Sequence, residues 1–308
     1  MTPIPAQSRT SWLMNQPYLL LSLTSLFWAG NVVVGRYAAG QIPPMALSFI
    51  RWAGAFVIVL PFAWPTLIED WPLIRRHWMM MVLLSFIGVS TFNTLGYWSL
   101  QYTQALNALL LQSSGPLYVA LFSLLLFGIR LTWAQTFGII TSLMGVLIIL
   151  LRGDLMALST IHLNKGDVGY TIAVAIFGLY SALTARRPPI SPISFLVFTC
   201  GCGALFVAPL FIWEICSGRA APINVTTISL LAYTAIFPST LAYLFFNRGV
   251  ELIGANRAAP FFHLMPVFGS VMAIGFLGER FQLFHFAGYA LVLAGVFIAA
   301  RKASARNA

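Results

Sequence analysis

Ten stretches of mainly apolar residues, each long enough for a membrane span, follow one another along this chain with little polar sequence between them. A helix needs about 20 predominantly apolar residues to cross the hydrocarbon layer of a bilayer. Only 8% of the 308 residues are Asp, Glu, Lys or Arg, whereas a soluble domain carries about 25% charged residues. The pattern excludes a soluble enzyme and a disordered chain. It predicts an all-α integral membrane protein with ten transmembrane helices.

The predicted spans form two sets of five. Those of the first set lie at residues 18–36, 44–64, 78–98, 105–127 and 133–151. Those of the second set lie at residues 166–185, 192–213, 226–247, 257–277 and 283–300. The connections are short, so the sequence predicts a single transport domain, with a cytoplasmic N-terminal segment at 1–15, a first five-helix repeat at 16–151 and a second at 166–302.

Basic residues are divided unevenly between the two ends of the spans, and Lys and Arg favour cytoplasmic loops. Eleven lie on the side of the N-terminus: Arg9, Arg75, Arg76, Arg130, Arg186, Arg187, Arg248, Arg257, Arg301, Lys302 and Arg306. Five lie on the other side: Arg36, Arg152, Lys165, Arg219 and Arg280. The division predicts an inner (plasma) membrane protein with both termini in the cytoplasm. It also explains the net charge of +10 without nucleic acid, because the basic residues form no continuous run.

The second half of the chain repeats the first at an offset of 150 residues. When residues 105–150 are placed on 255–300 without gaps, ten of the 46 positions are identical. The most informative identities are Pro116/Pro266, Gly128/Gly278, Arg130/Arg280, Gly138/Gly288 and Gly145/Gly295. Five is an odd number of spans, so the second repeat is predicted to cross the membrane in the opposite direction. Inverted repeats around a central cavity are typical of secondary transporters.

Short motifs in both halves resemble those of a transporter family. The sequences FWAGN at 27–31, PP at 43–44 and FIRW at 49–52 resemble the opening of the ten-helix EamA-type drug/metabolite transporters. Ala258, Pro266, the LGER sequence at 277–280, Gly288 and Gly295 resemble the closing half of the same repeat. Among members of this family, the chain is most similar to the YddG-like exporters of aromatic amino acids. Ile129 stands where the family usually has the Glu that Glu279 supplies in the second half, which argues against a paired acidic gate.

Polar side chains near the middle of spans are candidates for a substrate site, because polar groups in hydrocarbon need a partner or water. At the repeat offset, these residues fall on spans 1, 3 and 4 and on their counterparts 6, 8 and 9. The predicted substrate-binding residues are Trp28, Asn31, Asn93, Tyr97, Gln112, Ser113, Tyr180, Ser181, Tyr243, Asn247 and His263. The simpler interpretation is that the polar ones form interhelical hydrogen bonds and that Trp28, Tyr97 and Tyr180 contact lipid at the interface.

Prolines inside spans are the predicted hinges. Pro116 and Pro266 each free the carbonyl four residues earlier, on Gln112 and Phe262, and Pro238 is a third candidate for gating. A kink that only improves packing is the alternative for each. Gly138, Gly145 and their counterparts at 288 and 295 recur seven residues apart and predict that spans 5 and 10 each pack closely against a neighbouring helix; both spans are assigned to the scaffold.

Arg51 is the single arginine well inside a span, and no Asp or Glu lies near a span centre. We expect its guanidinium to bind backbone carbonyls or to extend towards the membrane surface, with attraction of an anionic group in the cavity as the alternative. No catalytic residue, metal site or cofactor is predicted.

The absence of a central carboxylate argues against a pump for cationic drugs, and a lone arginine argues against a phosphate-bearing substrate. The remaining chemistry suits small zwitterions with apolar side chains, and the YddG-like resemblance implies Phe, Trp and Tyr. The expected function is therefore export of aromatic and other neutral amino acids and related metabolites by alternating access. Facilitated efflux is preferred and proton exchange through His263 is second; a monomer is expected.

Three other classes of protein remain open. A nucleotide-sugar or phosphorylated-metabolite carrier of the same superfamily is the nearest alternative. A hydrolase that uses Ser113 or Ser114 with His263 lacks the Gly-x-Ser-x-Gly elbow and an orienting acid. A channel would show flux that does not saturate.

Overall fold

The computed structural model describes residues 12–128, 132–153, 164–254 and 258–301, and within these ranges every regular element is helical. The helices of the first half are α1 (Pro17–Tyr37), α2 (Pro44–Arg76), α3 (Trp78–Leu100), α4 in two parts (Ala105–Gln112 and Gly115–Phe127) and α5 (Trp133–Leu150). Those of the second half are α6 (Lys165–Thr184), α7 (Pro192–Cys216), α8 (Val225–Ile253), α9 (Leu264–Leu277) and α10 (Leu283–Arg301).

Seven of these helices are long and apolar enough to cross a membrane: α1, α2, α3, α5, α6, α7 and α8. The two parts of α4 meet at an angle of 41° and make an eighth span if they are counted together. The apolar helical stretches of the last two elements, Phe261–Leu277 and Leu283–Ile298, are shorter. The described residues therefore form a multi-pass membrane protein with seven or eight candidate spans.

Helix α2 is longer than the sequence predicts. The span was expected to end near residue 64, but the helix continues to Arg76 through Pro61, Pro65 and Pro72. Prolines are tolerated within long membrane helices when neighbouring groups satisfy the freed backbone. The extension is anchored at its far end, because Ile74 is buried in an apolar cluster and the Asp70 carboxylate accepts a hydrogen bond from the backbone N–H of residue 191.

The helices pack in a pattern that relates the two halves. Helix α6 packs against α3 and α4, and α1 packs against α8 and α9; α2 packs against α7, and α5 against α10. Glycines allow the closest of these approaches, because a Cβ atom at Gly145 would collide with the Gly288 carbonyl and one at Gly295 with the Gly138 carbonyl. The predicted packing of the last span of each half is thus a direct contact between α5 and α10.

Departures from regular α-helix also occur at corresponding places. Helix α3 contains a π-helical segment at Ser85–Thr91 and α8 contains one at Phe237–Leu241, and residues 87–91 match 237–241 at the 150-residue offset. The break between the parts of α4 at 113–114 corresponds to the change from a 3-10 turn (Ala259–His263) to α9. Pro116 lies in the first turn after the break in α4, and Pro266 in the first turn of α9.

Candidate functional site

The structure buries Arg51 near the middle of the helix packing, where its side chain joins four helices. Its Nη1 donates to Asn31 Oδ1 at 3.2 Å, to Asn93 Oδ1 at 2.8 Å and to the Tyr97 hydroxyl at 2.9 Å. Its Nε donates to the hydroxyl of Ser239 on α8. The Tyr97 hydroxyl in turn donates to Asn31 Oδ1 at 2.6 Å. We call these five residues the Arg51 cluster.

These contacts correct the expectation for Arg51. The guanidinium neither extends towards the membrane surface nor binds backbone carbonyls; it is 3% exposed and binds side-chain oxygens. Every one of these oxygens is neutral. Among the described residues, the Arg248 guanidinium and the Glu251 carboxylate form an ion pair at the protein surface, and this ion pair does not involve Arg51.

The π-helical segments orient two of the partners. Asn93 Nδ2 donates to the carbonyls of Gly88 and Val89 at 3.2 and 3.0 Å, which turns its Oδ1 towards Arg51. The Ser239 hydroxyl donates to the carbonyl of Thr234, five residues earlier, and its oxygen is thereby left to accept from Arg51 Nε. A π-helical segment displaces carbonyls from the regular ladder, so the irregular backbone of α3 and α8 fixes both acceptors.

An aromatic cluster lies beside the Arg51 cluster. The Trp28 ring stacks on Phe262 at 5.4 Å between centroids and contacts Tyr243 and Phe246, each at 5.6 Å. The Trp28 Nε1 donates to the backbone carbonyl of Pro238 in the π-helical segment of α8. Trp28 and Asn31 are three residues apart on α1 and share a face. An apolar surface therefore begins one helical turn from the buried guanidinium.

The other predicted site residues lie outside these two clusters. Gln112 accepts a hydrogen bond from the Tyr170 hydroxyl at 2.8 Å, and Tyr180 packs against Gly88 of α3. Ser113 and Ser181 donate to carbonyls of their own helices, four residues earlier. Within the described residues, Asn247 makes no hydrogen bond.

His263, the predicted alternative proton carrier, also makes no hydrogen bond among the described residues. Its ring lies 6.3 Å from that of Phe297 on α10, nearly parallel to it. The predicted residues that the structure gathers are therefore Asn31, Asn93 and Tyr97 around Arg51, and Trp28 with Tyr243. Ser239 was missed, although it lies four residues before Tyr243 and eight before Asn247 and so shares their helix face.

A second buried polar group, also missed from the sequence, lies where α4, α6 and α10 begin. Asp167 Oδ1 accepts from the Thr103 hydroxyl and, at 3.0 Å, from Asn107 Nδ2. His285 Nδ1 accepts from the backbone N–H of Gln282, so its Nε2 donates to Asn107 Oδ1 at 2.8 Å. All four side chains are at most 2% exposed, and Asp167 Oδ2 makes no hydrogen bond to any described residue. We call Asp167, Thr103, Asn107 and His285 the Asp167 cluster.

Two further carboxylates accept hydrogen bonds from the first turns of helices at the same end of the helix bundle as the Asp167 cluster. Glu279 accepts from the backbone N–H groups of Ala105 and Leu106 at 2.8 and 2.9 Å, and so caps α4. Glu214 accepts from the backbone N–H of Ala46 in the first turn of α2. A surface depression of about 570 Å³ opens beside Glu279 and Arg36, away from the Arg51 cluster. No group of acidic, His and Cys side chains suited to a metal ion occurs in the part of the chain that the structure describes.

Comparison with known proteins agrees with this architecture. The model of the EamA-like transporter family matches the chain twice, at residues 15–151 and 164–301. The chain is 28% identical over 285 residues to the uncharacterized transporter YyaM of Bacillus subtilis, and the match covers 92% of each chain. It is 25% identical over 292 residues to a probable terminal-alkyne amino-acid exporter of Streptantibioticus cattleyicolor, which covers 93% of this chain and 94% of the exporter.

A solved crystal structure shares the fold. Its TM-score is 0.62 at 17% sequence identity, and the superposition covers 93% of this chain and 98% of the other. Both of the named relatives are described as transport proteins, one as a transporter and one as a probable exporter. Because the family model matches nearly the whole chain, once in each half, this protein is a member of the EamA-like transporter family.

Proposed function

We propose that this protein exports aromatic and other neutral amino acids, and related small metabolites, across the inner (plasma) membrane. The observation that carries the proposal is the aromatic cluster around Trp28, which adjoins neutral amide and hydroxyl groups in the interior of the helix packing. Aromatic rings beside a few well-placed polar groups suit a small ligand with an apolar side chain. The related probable amino-acid exporter agrees with this substrate class, and the narrower YddG-like specificity is part of the proposal.

We further propose that the two halves are inverted five-helix repeats, with ten spans in all and both termini in the cytoplasm. Exchange of each helix for its counterpart turns the contacts of α6 with α3 and α4 into those of α1 with α8 and α9. The matching π-helical segments and the paired αL glycines, Gly128 with φ 64° and Gly278 with φ 66°, support the same relation. Alternating access would then exchange the two arrangements, with Pro116, Pro238 and Pro266 as hinges.

Facilitated efflux is the preferred energetic mode. The predicted alternative route for protons, His263, has no hydrogen-bonded neighbour among the described residues to receive a proton. The nucleotide-sugar or phosphorylated-metabolite carrier is not favoured, because a phosphate group calls for several converging cations and the Arg51 cluster contains one. We retain a monomer as the working assembly.

The test is transport by the purified protein in liposomes. Vesicles loaded with unlabelled phenylalanine, threonine, serine or a sugar phosphate are supplied with the same compound in labelled form, with and without a pH gradient. Saturable exchange of the amino acids, unchanged by the gradient, is expected. Exchange of the sugar phosphate alone would support the alternative carrier, and uptake that never saturates would indicate a channel.

The site is tested by substitution in the same vesicles. Tyr97→Ala, Asn247→Ala and His263→Ala are each expected to slow the exchange, because all three are proposed to line the substrate path. Trp133→Ala is a suitable control, since the Trp133 side chain at the start of α5 is 89% exposed. Normal exchange by the three site variants would require the path to lie elsewhere.

A further inference from the structure

The guanidinium of Arg51 carries a positive charge that pairs with no acidic side chain in the part of the chain that the structure describes. Arginine stays protonated in proteins, and a buried charge is costly unless it is paired. The hydrogen-bond partners of Arg51 are the neutral side chains of Asn31, Asn93, Tyr97 and Ser239. These oxygens solvate the cation without neutralising it, so the positive charge of Arg51 is not balanced within its cluster.

The free hydrogen-bonding capacity of Arg51 is concentrated on one nitrogen. Its Nε and Nη1 are held by the cluster, whereas Nη2 makes no hydrogen bond to any described residue. The cluster thus fixes the orientation of the guanidinium and leaves Nη2 without a hydrogen-bond acceptor among the described residues.

We propose that Arg51 Nη2 binds the carboxylate of the transported molecule. This inference rests on the proposed amino-acid export and names the group of the substrate that is recognised. One guanidinium matches one monovalent carboxylate, and a charge-assisted hydrogen bond of this kind is about twice as strong as a neutral one. The bound carboxylate supplies the negative charge that the Arg51 cluster lacks.

The position of the aromatic cluster sets the orientation of the bound substrate. Trp28 precedes Asn31 by one turn of α1, and its ring packs on Phe262. A substrate with its carboxylate at Arg51 extends its side chain along this face towards Trp28 and the N-terminal end of α1. Apolar side chains gain contact there, and serine or threonine reaches less of it.

Competition against labelled phenylalanine exchange tests the inference with the unaltered protein. The competitors are 3-phenylpropionate, which keeps the carboxylate and lacks the amine, and phenylalaninamide and phenethylamine, which lack the carboxylate. Phenylpropionate is expected to compete about 10 to 100 times better than either of the latter, the range of one hydrogen bond to a charged group. Equal competition by phenylalanine and its amide would overturn the inference while leaving amino-acid export intact.

Two variants then assign the preference to Arg51. Arg51→Gln is expected to abolish the advantage of acid over amide, and Arg51→Lys to keep part of it because the charge remains. Arg36→Gln is the matched control, because Arg36 lies at the end of α1 and donates to the Leu100 carbonyl at the end of α3. This variant should keep the full advantage of acid over amide. An unchanged advantage in Arg51→Gln would also overturn the inference, and failure of every amino acid to exchange would instead refute the proposed function.

Discussion

The Arg51 cluster and the Asp167 cluster each bury one charged side chain among neutral partners, but they lie at different places along their helices. Asp167 is in the first turn of α6, where the backbone N–H groups of a helix favour negative charge. Arg51 lies two turns inside α2, where no helix end can compensate its charge. The helix start and the Arg152 guanidinium, which attracts Asp167 electrostatically, therefore compensate the acid, whereas the arginine depends on neutral side chains and a bound anion.

The two clusters also differ in what they join. The Asp167 cluster ties together the beginnings of α4, α6 and α10, at the end where Glu279 also caps α4. The Arg51 cluster joins the interiors of α1, α2, α3 and α8 and leaves Arg51 Nη2 without a hydrogen-bond acceptor among the described residues. From this difference we infer that the acid serves mainly to hold the helix ends and the arginine mainly to bind substrate.

The largest expected effect separates the two charges by transport. Arg51→Gln removes the proposed anchor of the carboxylate, and phenylalanine exchange should fall at least tenfold, about the value of one charged hydrogen bond. Asp167→Asn keeps an acceptor for Thr103 and Asn107, so exchange should stay within about threefold of the original. Initial rates of phenylalanine exchange in liposomes at equal protein content compare the two variants. A larger loss of exchange in Asp167→Asn than in Arg51→Gln would refute the division of roles.

The next effect separates them by stability. Asp167→Ala leaves the donors of Thr103 and Asn107 buried without an acceptor, at a cost of about 1–3 kcal/mol for an unpaired group. Asp167→Asn retains the acceptor and should be much less destabilised. Thermal unfolding in detergent, followed by tryptophan fluorescence, compares the two variants. Equal midpoints for Asp167→Ala and the unaltered protein would mean that the cluster does not hold the helix ends.

A third effect concerns the side chain of the substrate rather than its charge. Trp28→Ala removes the ring that stacks on Phe262, and an aromatic contact is worth about 0.5–1.5 kcal/mol beyond its buried area. Phenylalanine exchange is therefore expected to fall about two- to tenfold, whereas serine exchange should change little. An equal loss for both substrates would place Trp28 outside the substrate path, and Trp133→Ala is the control for an exposed tryptophan.

The sequence correctly predicts an all-helical, multi-pass membrane protein, because length and apolar composition determine that architecture; of the ten predicted spans, seven or eight are long and apolar enough among the described residues. The extension of α2 to Arg76 was not predicted, because its three prolines and polar residues resemble the end of a span. Ile74 anchors this extension by packing against α3 and α7, a contact that the local sequence does not reveal. The break in α4 could be predicted from Pro116, because proline lacks a backbone N–H and so interrupts the helix locally.

The members of the Arg51 cluster were anticipated in part for a similar reason, whereas their role in binding substrate stays a prediction. Asn31, Asn93 and Tyr97 stood out as polar residues within apolar spans, and the structure brings them together. Their common partner was misjudged, because backbone carbonyls and side-chain oxygens are equally plausible partners for an arginine until the packing of four helices is known. Asp167 was overlooked since it lies near a helix start, where a charged residue is ordinarily solvated; its burial comes from the close approach of Gly166 to the end of α3.

The smallest expected effect tests the Arg51 cluster without removing its charge. Tyr97→Phe keeps the buried ring and deletes the hydroxyl that donates to Asn31 and accepts from Arg51. Asn31 and Asn93 still accept from the two N–H groups of Nη1, so the net loss is about one neutral hydrogen bond, from Tyr97 to Asn31, and phenylalanine exchange should slow by about two- to tenfold. The advantage of phenylpropionate over phenylalaninamide should persist, because Nη2 is untouched. If that advantage disappears together with the hydroxyl, Tyr97 rather than Arg51 recognises the carboxylate, and the contrast between the two charged clusters loses its functional meaning.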